Sequence, residues 1–406
     1  MLGCALVALQ CLPAACAAAA NEARAGHGVK ARQTVAVQDD RAGAGYGRRD
    51  DVLRFAAALA EAQGLDRDWV EATLAQARYQ PAVARLIMPP AVGTAKNGAA
   101  YNARFVEPQR IRAGLAFWAA HQAWLEAAQA RFGVPAEIVV GIIGVETFYG
   151  RMTGNFRVLD ALATLAFDFP VGRKDRSEFF RDELAQFLML ARREGVAPEL
   201  VLGSYAGAIG LGQFMPSSIR RHAIDFDRDG QVDKIGSAAD VIGSVANYLA
   251  AFGWQPGMPT HYAVLPPLDT AERAALLLPD IRPSFTPAQM VDRGAVLGDE
   301  ARAHAGALAL VELHNGSAAP SHVAGTENFY AVTRYNWSSY YALAVIELGR
   351  AIKARRPAPP ALATGPAPPP PSIGPAPPAP STGLASPERP ATRDFAAPPG
   401  WPSSSP

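Results

Sequence analysis

The chain has 406 residues, 49% of them apolar and 18% charged, with a formal net charge of +1. That length allows two or three domains and that composition supplies a sizeable core, while nothing in the near-neutral balance suggests nucleic acid or a strongly charged substrate, so any bound polymer is expected to be held by local groups. All three cysteines, Cys4, Cys11 and Cys16, fall at the extreme N-terminus, so the rest of the chain lacks the thiols for a disulfide or a Cys-based zinc site.

In chain order, residues 1–20 are an Ala/Leu-rich stretch that ends in Ala17-Ala18-Ala19-Ala20 and turns polar at Asn21, the pattern of a secretory signal, although no basic residue precedes it. Leu12-Pro13-Ala14-Ala15-Cys16 faintly resembles a lipoprotein processing box, so the segment reads either as a cleaved signal or as one that leaves a lipid on Cys16. Residues 21–48 have no periodicity and read as a flexible leader, with order expected from about Asp50. Helical spacing of apolar residues then predicts helices over 51–63 (Leu53, Ala56, Ala57, Leu59) and 66–79 (Val70, Leu74, Ala77), and over 108–132, 135–149, 177–195, 216–223, 237–252 and 338–354. Between about 255 and 330 the helical pattern weakens into Pro/Gly-punctuated segments that could supply a few short strands of a small insertion. Residues 356–406, as in Pro366-Ala367-Pro368-Pro369-Pro370-Pro371, are dominated by Pro, Ala and Ser and read as an extended, disordered tail. Beyond the N-terminal segment, no stretch reaches the roughly 20 apolar residues that span a bilayer.

The first chemical signal is Glu146, a lone carboxylate that follows the apolar run Ile138-Val139-Val140-Gly141-Ile142-Ile143-Gly144-Val145. A helix this apolar is normally buried, and an ionised carboxylate is costly to bury without a partner. A raised pKa would keep the group protonated near neutral pH, as a general acid for glycosidic cleavage requires. The alternative is an acid salt-bridged or solvated at the helix C-terminus.

Three further segments carry polar chemistry. Ser204-Tyr205-Ala206-Gly207-Ala208-Ile209-Gly210-Leu211-Gly212-Gln213-Phe214-Met215-Pro216 is too glycine-rich for a stable surface helix, since each glycine costs about 1 kcal/mol relative to alanine. It reads as a close-approach loop with Ser204 and Gln213 available to a ligand, or as an ordinary tight loop. Asp225, Asp227, Asp229 and Gly230 fit the start of a calcium loop, with Gln231 at the position whose backbone carbonyl ligates. The usual closing Glu is replaced by Gly236, and Asp240 could close a longer loop; the alternative is a solvated acidic turn. Finally, Thr333-Arg334-Tyr335-Asn336-Trp337-Ser338-Ser339-Tyr340-Tyr341 mixes aromatic and amide groups before an apolar helix, which suits a saccharide groove or, equally, a helix start with core aromatics.

Taken together and in this order, these segments resemble the membrane-bound lytic murein transglycosylase B family, glycoside hydrolase family 103. The resemblance runs from about Leu53 to Ile352 and includes Gly133-Val134-Pro135, Gly141 to Thr147, Leu159 to Leu165, Ser204 to Ser217, the acidic loop, Gly243 to Tyr248 and Thr333 to Ser338. It implies a mainly α protein: a lysozyme-like α+β catalytic core within residues 49–355, an additional helical region and an EF-hand-like metal loop over 225–240. It also implies cleavage of peptidoglycan glycan strands between N-acetylmuramic acid and N-acetylglucosamine with a 1,6-anhydromuramoyl end. Glu146 would act first as acid and then as base, so the second carboxylate of ordinary glycosidases is unnecessary. By the same resemblance Ser204, Gln213, Tyr248, Tyr335, Asn336 and Tyr341 line the groove, with Tyr101 a further candidate. Arg176 aligns with one of the family's paired arginines, and Arg173 or Lys174 stands for the other. Asp225, Asp227, Asp229, Gln231 and Asp240 would hold a structural Ca2+ or another cation.

The location implied is the periplasm, with an outer-membrane anchor if Cys16 is lipidated and cell-wall proteins as partners of the Pro-rich tail. Two competing readings stand beside this one. A hydrolytic muramidase would need a second carboxylate, for which Asp160 is the nearest downstream candidate, and a non-catalytic peptidoglycan-binding scaffold would keep only the fold.

Overall fold

The computed structural model describes residues 45–89, 96–233 and 236–357. The expected signal segment with its cysteines, the leader up to residue 44 and the Pro-rich tail beyond Pro357 lie outside the described residues. Helices dominate: α1 (Asp50–Gln63), α2 (Arg67–Ala75), α3 (Pro81–Leu86), α4 (Gly98–Ala103), α5 (Pro108–Ala120), α6 (Gln122–Phe132), α7 (Ala136–Thr147) and α8 (Val158–Phe167) form the first half. They are followed by α9 (Ser177–Glu194), α10 (Pro216–His222), α11 (Ala238–Ala251), α12 (Thr270–Leu277), α13 (Pro287–Asp292), α14 (Asp299–Arg302), α15 (Glu327–Tyr335) and α16 (Ser339–Lys353). The strands are β1 (Phe156–Arg157), β2 (Leu202–Gly203), β3 (His261–Leu265), β4 (Val296–Leu297), β5 (Ala309–Asn315) and β6 (Ala318–Gly325).

Local chemistry sets the helix ends. Asp66, Ser237, Thr326 and Ser338 each accept backbone N–H groups at the starts of α2, α11, α15 and α16. Gly133 and Gly195 close α6 and α9 in the left-handed conformation that glycine adopts most readily.

At the centre lies α7, predominantly apolar and buried along its length except at Glu137, which pairs with Lys353. It packs chiefly on α16, with α5, α6 and α11 around it. Two glycines make that contact close: a Cβ on Gly141 would stand 2.3 Å from the Val345 carbonyl oxygen, and one on Gly349 would stand 2.1 Å from that of Glu137. Alanine at either position would force the α7 and α16 backbones apart.

Around residues 260–325 the chain forms a second unit with its own core, in which Val264, Leu276, Met290, Leu297, Leu308 and Leu310 meet. Its sheet is antiparallel in the order β4-β3-β6-β5. This is the small stranded insertion that the Pro/Gly punctuation indicated. Its β5–β6 hairpin is fastened to the helical part where Tyr340 accepts the backbone N–H of His314 at 2.9 Å.

Two expectations about local structure need correction. The helix expected over 108–132 is two helices, because His121 leaves the helical region (φ −121°, ψ 23°) and the chain turns there; one straight rod could not pack both against α16 and against α11. The leader does not extend to residue 48: Tyr46 is buried and donates to Asp168 Oδ2 at 2.8 Å, and Arg49 pairs with the same carboxylate at 2.7 Å. The stretch forming α8, absent from the helices expected from sequence, is a fully formed helix. Among the described residues no single helix is long and apolar enough to cross a membrane.

Candidate active site

Glu146 sits in the last turn of α7 and is 8% exposed. Burial pushes its carboxyl up to about 8, and the opposing influence is a hydrogen bond donated by the Tyr341 hydroxyl to Oε1 at 2.7 Å. Among the described residues no salt bridge reaches Glu146, and its burial is at odds with the alternative of a solvated helix end. Tyr341 lies in the first turn of α16, so the α7–α16 contact brings acid and donor together across 195 residues of sequence. Burial raises the phenol of Tyr101, on α4, above the usual range, and the nearby Glu146 adds to that shift; its ring lies 6.2 Å from that of Tyr340.

The turn after Glu146 is unusual. Phe148 (φ 51°) and Tyr149 (φ 57°) are consecutive non-glycine residues in the left-handed region, followed by Gly150 at φ 89°. Such residues cost of order 1 kcal/mol or more each and persist only where their surroundings hold them. Thr147 supplies part of that hold, with Oγ1 donating to the Leu211 carbonyl at 2.9 Å and so tying α7 to the glycine-rich loop.

That loop is a tight, almost fully buried coil. The oxygen of Ser204 accepts the backbone N–H groups of Ala206 (3.3 Å) and Ala208 (3.0 Å). Gln213, itself left-handed at φ 49°, donates from Nε2 to Thr153 O at 3.0 Å and Gly210 O at 2.8 Å. Its amide is thereby fixed, and Oε1 is a buried acceptor with no partner among the described residues.

Tyr248 and Tyr335, expected as groove residues, direct their hydroxyls to backbone carbonyls. Tyr248 donates to Arg334 O at 2.6 Å and Tyr335 donates to Gly212 O, and both are buried. With Phe214 they form an aromatic wall, and the Tyr335 ring stacks on Tyr341 with a centroid distance of 6.5 Å. Ser204 likewise spends its oxygen on its own loop. Asn336 is 8% exposed at the junction of α15 and α16. Arg176 lies over the rings of Phe179 and Phe180 at the start of α9, and Arg173 donates to the Ile87 carbonyl.

Asp160, the residue a hydrolase would need, is committed elsewhere. Its Oδ1 accepts the Arg78 N–H at 3.0 Å, its Oδ2 accepts Gln80 Nε2 at 3.1 Å, and Arg157 stands 3.5 Å away. These contacts tie it into the packing of the 78–80 segment against α8.

The acidic loop joins α10 to α11. Ligand oxygens of Asp225, Asp227 and Asp229 lie within 4.8 Å of one another, Gly230 is left-handed (φ 92°), and Asp225 Oδ1 is buried without a partner. A hard cation fits this donor set, since it would satisfy the orphan oxygen and relieve the repulsion among the carboxylates. Gln231 donates its backbone N–H to Asp229 Oδ1 at 2.8 Å. Asp240 needs correction as the closing ligand: Oδ1 accepts from Phe226 N (2.6 Å) and Oδ2 from Asp233 N (2.8 Å), so it braces the loop from the first turn of α11.

A buried protonated acid at a helix end, backed by an aromatic wall and a buried glycine-rich loop, defines a lysozyme-like enzyme of glycosidic bond cleavage. The chain belongs to the Transglycosylase SLT domain family, which matches residues 47–350. It is 38% identical over 327 residues to membrane-bound lytic murein transglycosylase B of Escherichia coli (strain K12), covering 77% of this chain and 86% of that protein. Among solved structures it resembles Escherichia coli lytic transglycosylase Slt35 in complex with calcium (36% identity, TM-score 0.68, 78% of this chain and 97% of that one). It also resembles Pseudomonas aeruginosa SltB3 in complex with NAG-anhNAM-pentapeptide (30% identity, TM-score 0.61, 74% and 79%).

Proposed function

We propose that this lytic transglycosylase cleaves the β-1,4 bond between N-acetylmuramic acid and N-acetylglucosamine in peptidoglycan and closes a 1,6-anhydro ring on the muramoyl end, with Glu146 as its one acid–base residue. The observation that carries this reading is a carboxyl raised to about 8, donor-poor and buried, while Asp160 is bound up elsewhere. Protonated Glu146 gives its proton to the glycosidic oxygen as the C1–O bond breaks. The resulting carboxylate accepts the proton of the muramoyl C6 hydroxyl as O6 bonds to C1, which regenerates the acid. Tyr341 donates to the carboxylate between the two steps and limits the cost of holding a charge there. The orphan Oε1 of Gln213 is an acceptor suited to a hydroxyl or acetamido N–H of the bound glycan.

Asp225, Asp227 and Asp229 would hold Ca2+ as a brace between α10 and α11, with no part in the bond-breaking steps; the calcium complex of the similar Escherichia coli enzyme supports that choice of ion. A peptidoglycan substrate supports a periplasmic location, and the name of the Escherichia coli relative supports membrane association.

Products from purified sacculi test the chemistry. Anhydromuramoyl ends are about 18 Da lighter than hydrolytic ends, because no water is added, and take up no heavy oxygen from labelled water. Reducible ends carrying solvent oxygen as the main product would make the enzyme a muramidase. For the cation, chelator-treated protein should melt higher on adding calcium, and Asp229→Asn should weaken that rise. An unchanged melting curve would remove the ion from the account.

A further inference from the structure

Arg110 belongs to none of the residues assigned so far, yet it meets the catalytic helix at its most strained point. It is the third residue of α5, whose start is capped by Glu107. Its Nη1 donates to the Gly144 carbonyl in the last turn of α7, two residues before Glu146. Its guanidinium carbon lies 4.5 Å from the centre of the Phe148 ring and 5.1 Å from that of Phe105. One side chain therefore holds both the carbonyl end of the helix that carries Glu146 and the ring of the left-handed residue that ends it.

The chemistry of that end explains why a guanidinium is suited to it. The last carbonyls of a helix carry partial negative charge and lack a full set of donors, so a cation there is stabilising. Gly144 O already accepts the Phe148 N–H at 3.1 Å, and Arg110 supplies a second, charged donor to the same oxygen. The planar cation also covers the Phe148 ring face, which opposes any relaxation of the φ 51° residue toward ordinary backbone. If the turn relaxed, the last turn of α7 would unwind and Glu146 would move away from Tyr341 toward water.

We propose that Arg110 is a positioning residue: it clamps the last turn of α7 and the left-handed Phe148–Tyr149 step, and so keeps the Glu146 carboxyl dry and against the Tyr341 hydroxyl. This rests on the reading of Glu146 as the acid–base residue. Arg110 touches no reacting atom; it acts through α7.

The test is Arg110→Met, which keeps an apolar stem but loses both the donor and the planar cation. Two quantities are read on folded protein: the titration of the Glu146 carboxyl by carbon-13 NMR, which needs no activity, and the pH profile of kcat. With the clamp released, water reaches Glu146 and desolvation falls. The Glu146 titration and the alkaline limb of kcat should both move to lower pH by about one unit, and kcat near neutrality should fall about tenfold while KM changes little. Arg110→Lys can still donate to Gly144 O but cannot cover Phe148, and should fall between the two.

Should Arg110→Met not fold, Phe148→Leu removes the ring from the other side and should move both readouts in the same direction. A merely structural arginine would lower the melting temperature and leave the titration and the limb unchanged, and that result overturns the proposal. Full activity in Glu146→Gln would instead sink the reading on which it rests, whatever the Arg110 variants do.

Discussion

Glu146 and Asp160 are two buried carboxylates on successive helices, and the difference in their surroundings is what supports the proposal of an acid–base role for the first and a structural role for the second. Asp160 stands in the first turn of α8, at the positive end of a helix dipole, and its two oxygens face a backbone N–H, a side-chain amide and Arg157. Glu146 stands in the last turn of α7, at the negative end, and the protein offers it the Tyr341 hydroxyl. Both are nearly inaccessible, at 2% and 8% exposed. Burial therefore does not decide the role. The number and charge of the donors do: the partners of Asp160 take up both of its oxygens in packing, while too few donors leave Glu146 with its carboxyl raised to about 8, as a proton donor to a substrate oxygen requires.

The largest expected effect is that of Glu146→Gln, which removes the proton and keeps the shape. The rate on sacculi should fall at least about a hundredfold with glycan binding retained. The same change should raise the melting temperature at alkaline pH. The folded carboxyl is raised to about 8 from an ordinary value of 4.5, so its contribution to stability is whole below 4.5 and is lost as pH rises toward 8. Glutamine escapes that loss. The variant's advantage should be near zero at pH 4, grow between 4.5 and 8, and level off above at up to a few kcal/mol. A variant that melts lower than wild type at pH 9 would contradict the picture of an acid held against its own solvation.

Asp160→Asn tests the other half of the comparison. It leaves Arg157 without its buried partner and weakens the acceptor for the Arg78 N–H and Gln80, so stability should fall by about 3 kcal/mol. That is a drop of several degrees in melting temperature. The rate per folded molecule should stay within a few-fold of wild type. If the variant folds normally and loses activity as severely as Glu146→Gln, Asp160 takes part in the chemistry and the hydrolytic reading returns.

Much of this contrast was legible in the sequence, for reasons particular to each segment. Glu146 stands out because nothing else in the run from Ile138 to Val145 is charged, and a lone charge in an apolar helix has few explanations. The roles of Ser204, Tyr248 and Tyr335 were less legible. A hydroxyl's residue type does not reveal whether it faces a ligand or a backbone carbonyl, and these face the backbone of their own loops. Asp240 misled for the same reason, since spacing places it near the cation loop while only the fold shows its oxygens turned to Phe226 and Asp233. Arg110 left no signal in the apolar period of its helix, because its partners, Gly144 and Phe148, lie across a tertiary contact. Tyr46 was hidden by the low-complexity leader around it, although a buried ring and an Asp168 acceptor hold it in place.

The smallest expected effect concerns the donor that distinguishes Glu146 from a wholly unsatisfied acid. Tyr341→Phe keeps the ring that stacks on Tyr335 but removes the hydroxyl that stabilises the ionised form. Since that hydrogen bond opposes the upward push of burial, its loss should carry the carboxyl further above about 8. The alkaline limb of kcat, which reports the protonated acid, should move up by about half a unit to one unit. The rate at neutral pH should nevertheless fall several-fold. The second step needs Glu146 as a carboxylate to take the C6 hydroxyl proton, and that charge would form without a donor. A pH profile of kcat separates these effects. An upward-shifted limb with a lower plateau is the expected result, whereas a limb that moves down would mean that the hydroxyl chiefly keeps water away from Glu146.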